Sequence, residues 1–94
     1  MALVDCALQV PPHVHWRHFD TEIVVLNLKE GTYCGLNDVA ASAFTELAAG
    51  RTPIEVVRDL LGRYEIDEST LTSDIEKLVV DFLHQGLLVR RGAP

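Results

Sequence analysis

The stretch that most constrains this chain runs from Glu22 to Asn37. Glu22-Ile23-Val24-Val25-Leu26-Asn27-Leu28 is apolar and rich in β-branched residues, and Lys29-Glu30-Gly31 follows it as a polar triplet ending on glycine. Such a run fits the pleated surface of a strand, and the triplet reads as a tight turn into a second, shorter run, Thr32 to Leu36. Upstream, His15 to Phe19 is also extended, and Asp20-Thr21 between it and Glu22 suits a hairpin turn. The three runs predict a three-stranded antiparallel meander. Pro11-Pro12 keeps earlier residues out of a regular central strand, although Ala7 to Val10 can lie along an edge.

Beyond Leu36 the pattern changes to helix. Asn37 is placed to cap a first helix, with Asp38 in the turn where the helix dipole favours negative charge. Val39, Ala40, Ala43, Phe44 and Leu47 recur at helical spacing to about Ala49, and Gly50 closes the segment. Thr52-Pro53-Ile54-Glu55 opens a second helix: Thr52 is the cap, Pro53 sits where a missing N–H costs nothing, and Glu55 completes a capping box. Val56, Val57, Leu60 and Leu61 carry that helix to about Tyr64. Asp67 caps a third helix whose Leu71, Ile75, Leu78, Val79, Phe82 and Leu83 form a continuous stripe, ended by Gly86. Leu87 to Arg90 then lies against the core or forms a wing strand, and the last residues, 91–94, are expected to fray. The class is α+β, a three-stranded sheet followed by three helices.

A chain of 94 residues with 48% hydrophobic and 23% charged residues supports one core and one domain, with residues 1–13 as an N-terminal extension. Fourteen acidic against 8 basic side chains give a net charge of -6, and no basic run exceeds Arg90-Arg91. An acidic field without a cationic face argues against a nucleic-acid partner. No segment has the roughly 20 apolar residues a membrane helix needs, and the N-terminus lacks the long apolar core of a secretory signal. Cys6 and Cys34 make neither a disulfide framework nor a metal-ligand spacing, so a reduced, cytoplasmic setting is expected.

Candidate chemistry is sparse. His13-x-His15 would put two rings on one face of a strand, but neither His18 nor His84 supplies a third ligand in a predicted element, so no metal is expected. Ser42, Ser69 and Ser73 all fall on helices, which excludes a nucleophile elbow, and Cys34 has no base or basic neighbour to activate its thiol. No glycine-rich phosphate loop is present. The chain reads as a non-enzyme without a cofactor. Helices two and three have the order of a DNA-reading winged helix, but Glu68, Asp74, Glu76 and Asp81 against the single Lys77 would repel a major groove.

The short run Thr32-Tyr33-Cys34-Gly35-Leu36 is the last strand of the sheet, and no proline, lysine or inward charge blunts its edge. It is either a harmless short edge or a socket that accepts an extended peptide as a fourth strand. The third helix carries more large apolar side chains than one face of a small domain requires. The candidate peptide-binding set is therefore Thr32, Tyr33, Cys34, Gly35 and Leu36 on the strand, with Asp74, Ile75, Leu78, Val79 and Phe82 on the helix.

The segments VVLNLKEGTYCGLNDVAASAFTELAAG, TPIEVVRDLL and DIEKLVVDFLHQGLLV resemble the PqqD-like family, the precursor-peptide recognition elements of ribosomally made, modified peptides. The resemblance spans about Val14 to Val89, and its most specific pieces are the L-N-x-x-x-G-x-Y-x-x-L-N pattern and FLHQGLLV; Cys34 stands where an aromatic residue is frequent. With its PPHV stretch, the chain is similar to the stand-alone leader-binding proteins of lasso-peptide clusters. The resemblance implies a winged helix-turn-helix fold in which a precursor's leader pairs with the third strand and packs on the third helix. It implies as partners a leader peptidase of transglutaminase-like fold and a macrocyclase. The same fold serves as the peptide chaperone of pyrroloquinoline quinone synthesis, which only the precursor's sequence would separate from the lasso reading.

Overall fold

In a computed structural model the chain is described over residues 7–20 and 22–91, with residue 37 described by its backbone alone. The elements follow the order β1 (Leu8–Gln9), β2 (Val14–Phe19), β3 (Glu22–Asn27), β4 (Thr32–Asn37), α1 (Asp38–Ala48), α2 (Pro53–Arg63), α3 (Glu68–His84) and β5 (Val89–Arg90). β2, β3 and β4 form the expected antiparallel meander in that spatial order. Its register sets Val25 between Trp16 and Cys34, and Leu26 between His15 and Tyr33. Together with the packed pair α2 and α3, it makes the α+β, winged helix-turn-helix arrangement.

Each hairpin turn has a local cause. Asp20 adopts φ 55 and Gly31 φ 71, the left-handed region that aspartate tolerates and glycine enters freely. The expected turn residue Thr21 and the cap proposed at the Asn37 side chain lie outside the described residues. Asp38 also takes a left-handed φ, 49, so the backbone passes from strand to helix without an intervening loop. That junction is why β4 ends where it does.

Asn27 does what its position in the pattern did not reveal. It is 2% exposed, and its Oδ1 accepts from the amides of Lys29 and Glu30, at 3.1 Å each, so the side chain itself closes the β3–β4 turn. Its Nδ2 donates across 3.4 Å to the Gln85 carbonyl at the C-terminal end of α3. One buried amide thus ties the hairpin to α3.

The helices begin as their residues require. Thr52 and Glu55 form the reciprocal capping box, with Pro53 opening α2. The Asp67 side chain accepts from the Thr70 amide at the start of α3. Buried side chains of one core come from every layer: Ile23 and Val25 from the sheet, Phe44 and Leu47 from α1, Val56 and Leu60 from α2, and Leu71, Ile75, Val79 and Phe82 from α3. Trp16, Phe44 and Phe82 stack edge-to-face along its axis, with ring centroids 5.5 and 5.4 Å apart.

The chain ends differ from expectation. Residues 8 and 9 do not extend the meander; they pair with Val89 and Arg90 in a separate two-stranded sheet. The pairing is favoured because Leu8, Leu87 and Leu88 are all buried in the core and bring the two segments together. Arg91, expected to fray, donates from its backbone to the Ala7 carbonyl at 2.9 Å. The rest of that tail, residues 92–94, lies outside the described residues.

The seam between α1 and α2 holds a charge cluster, in a depression shared with His18 and Asp20. The Arg63 guanidinium donates to Glu46 at 2.8 Å and lies 3.2 Å from Asp59, while Arg51 stands 3.9 Å from the other Glu46 oxygen. Burial pushes Glu46 up to about 7, the neighbouring Asp59 adds to the rise, and the two arginines oppose it. A carboxyl that binds its proton more tightly when folded stabilises below its ordinary value, 4.5, and that stabilisation is lost as pH rises through about 7. Thermal unfolding across this range should show a fall in stability on the order of 1 kcal/mol, discounted for the partly exposed arginines. Glu46→Gln should flatten the profile; an unchanged slope would place the titration elsewhere.

Candidate functional site

β4 is an edge of the three-stranded sheet, with β3 on one side and an open backbone on the other. Alternate residues of an antiparallel edge strand direct N–H and C=O groups outward. Along β4, Cys34 and Leu36 are half-buried and lean on the core, whereas Tyr33 is 72% exposed on the opposite face. Thr32 and Gly35 are exposed as well. Among the described residues no further strand pairs with this edge, so the strand keeps the property that its unblunted composition suggested.

α3 contributes less apolar surface to the site than its stripe implied. Ile75, Val79 and Phe82 are 1%, 0% and 2% exposed and belong to the core. The reason is geometric: positions 71, 75, 79 and 82 follow one line of the helix, and that line packs into the core against α2 and α1. Leu78 lies one step to the side. It is half-buried, packed on the core yet open to solvent, and exposed Asp74, Lys77 and Asp81 continue its strip at helical spacing.

Those four residues face the start of α1. Asp74, Lys77, Leu78 and Asp81 with Asp38, Val39 and Ala40 line an open groove of about 600 Å³. Its Asp38 end adjoins β4, the strand that carries Cys34 and its thiol. Burial pushes that thiol above its ordinary range and the Asp81 charge adds to the rise, the opposite of what an activated nucleophile needs. Of the residues proposed from sequence, Asp74 and Leu78 line this groove, Cys34 and Leu36 stand on the neighbouring β4 and lean on the core, and Ile75, Val79 and Phe82 are buried in that core. Asp38, Val39, Ala40, Lys77 and Asp81 were not foreseen. The spacing 74, 77, 78, 81 could have found the helical half, as the strip flanking the core stripe.

The remaining chemistry is dispersed. His13 precedes β2 instead of lying on it, and among the described residues no three His, Cys, Asp or Glu side chains are grouped to hold a metal ion. Among the described residues no helix is long and apolar enough to cross a membrane.

Against known proteins, two solved structures share this fold along almost its whole length. TbiB1 in complex with the TbiA(beta) leader peptide superposes with a TM-score of 0.81 at 28% identity, covering 92% of this chain and 98% of that one. A lasso peptide synthetase B1 complexed with the leader peptide gives the same TM-score and identity, covering 88% of this chain and 98% of that one. No curated protein matches the sequence. The model of the family described as Coenzyme PQQ synthesis protein D (PqqD) matches residues 22–88, from the first residue of β3 to the buried Leu88. The chain belongs to the PqqD family.

Proposed function

We propose that this protein binds the leader region of a ribosomally made precursor peptide as an added strand on β4, and presents it to a leader peptidase in lasso-peptide biosynthesis. The observation that carries the reading is the open β4 edge beside the groove of α1 and α3, in a fold shared with two solved complexes with leader peptides. Main-chain hydrogen bonds along β4 supply affinity, and side-chain pockets set register and choice. Val39, Ala40 and Leu78 form the apolar side of the groove, with Thr32, Tyr33, Cys34, Gly35 and Leu36 supplying the pairing edge and Asp74 a polar rim. Ile75, Val79 and Phe82 hold α3 at the right distance from the strand.

In this reading the chain performs no chemistry. It raises the local concentration of substrate at a separate peptidase of transglutaminase-like fold, and a macrocyclase closes the ring afterwards, all within the cytoplasm. Membership of a family described by coenzyme PQQ synthesis favours a second reading, peptide chaperone of pyrroloquinoline quinone synthesis. A neighbouring precursor carrying the glutamate and tyrosine of the quinone would select it.

The test is amide hydrogen exchange with a synthetic leader of the precursor encoded beside this chain. Alternate amides between Thr32 and Leu36 should gain protection at saturation, while those of β2 stay unchanged. Protection confined to other elements would remove β4 as the binding edge.

A further inference from the structure

The groove has a charge pattern that its apolar lining does not account for. Three carboxylates, Asp38, Asp74 and Asp81, and one ammonium, Lys77, surround Val39, Ala40 and Leu78. Among the described residues none of these carboxylates lies within 4.0 Å of a cationic side chain, in contrast to Glu46 and Asp59, which share Arg63. In the free protein water solvates them. A peptide laid over the groove takes part of that water away, and a carboxylate left unpaired in an interface weakens binding.

The spacing matches a strand. Asp74 and Asp81 bracket Leu78 on α3, one turn before it and just under one turn after it, or roughly 6 and 5 Å along the axis at about 1.5 Å per residue. In an added strand, side chains on one face recur about every 7 Å. An apolar side chain seated on Leu78 therefore places its neighbours two positions away beside Asp74 on one side and Asp81 on the other. Lysine and arginine have the reach to close the remaining gap.

Resting on the leader-binding reading above, we propose that the groove selects a leader segment in which a lysine or arginine stands two positions from an apolar anchor, the anchor on Leu78 and the cation on Asp74 or Asp81. Asp38, where β4 passes into α1, adds to the negative field along the groove. Lys77 opposes a cation at its own position but compensates only one of the three carboxylate charges, so the groove stays net negative.

The experiment is a selection of randomised peptides of about 15 residues, more than twice the length of β4, displayed against the full chain and against the Asp74→Asn/Asp81→Asn double variant. Both replaced residues are exposed, so the variant should melt with the wild type, which is checked first. Wild type should enrich sequences with a basic residue two positions from a large apolar one, and the variant should lose that bias. A synthetic peptide from the wild-type pool should bind the variant about five- to twenty-fold more weakly, and raising salt from about 0.05 to 0.5 M should narrow the difference. Selected peptides that protect β4 amides but show no basic bias, with equal affinity for both proteins, would overturn this proposal and leave leader binding standing. Selected peptides that leave β4 unprotected would overturn both.

Discussion

Phe82→Ala should lower the stability of this protein by about 3–5 kcal/mol, and Leu78→Ala should lower its affinity for a leader peptide about 30-fold with far less effect on melting. The two positions are four apart in sequence, and the difference lies in which way each one faces. Phe82 is 2% exposed and meets Phe44 edge-to-face at 5.4 Å, so truncation leaves a cavity at the buried end of the aromatic stack. Ile75 and Val79, equally buried, should follow Phe82 in losing stability first. Leu78 is half-buried on the groove, so truncation removes a contact surface and little core, costing about 1 kcal/mol in folding. Leader titration and thermal unfolding on the same variants separate the two effects. If Leu78→Ala loses affinity only in step with its stability, the groove is not where the peptide sits.

Asn27→Ala should cost about 2 kcal/mol and loosen the β3–β4 turn. Its side chain accepts from two turn amides and donates to the Gln85 carbonyl, and a neutral hydrogen bond contributes about 0.5–1.5 kcal/mol net. Lys29 and Glu30 are exposed, so water recovers part of the loss at their amides, which keeps the figure below the full sum. Because the same residue ties the hairpin to α3, hydrogen exchange should quicken along β4 before it does in α2. A variant that melts within about 0.5 kcal/mol of wild type would show that the turn closes without it.

The parts of this fold that were legible in the sequence are those with local causes. The Thr52-Pro53-Ile54-Glu55 box, the Asp67 cap and the glycine turn at Gly31 each act within a few residues, and each appears where its residue types put it. The β1–β5 pair was legible only as two separate possibilities, since its strands are two residues long and carry no period, and burial of Leu8, Leu87 and Leu88 joins them. Helix periodicity identified the α3 stripe but not its division. Leu78 and Val79 are adjacent and both aliphatic, and only the position of α1 makes one a groove wall and the other core. Asn27 was hidden for a different reason: an asparagine at a strand end reads as solvated, and its burial depends on where the end of α3 comes to rest.

The passage from β4 into α1 at Asp38, with no loop between them, bears on how binding energy divides between the two partners. A strand held at one end by a helix and at the other by Asn27 has little freedom left to lose when a peptide pairs with it. The entropy of ordering then falls almost wholly on the incoming chain. Stiffening that chain in its extended form, by cyclisation or by β-branched residues, is the route by which its dissociation slows without any new contact.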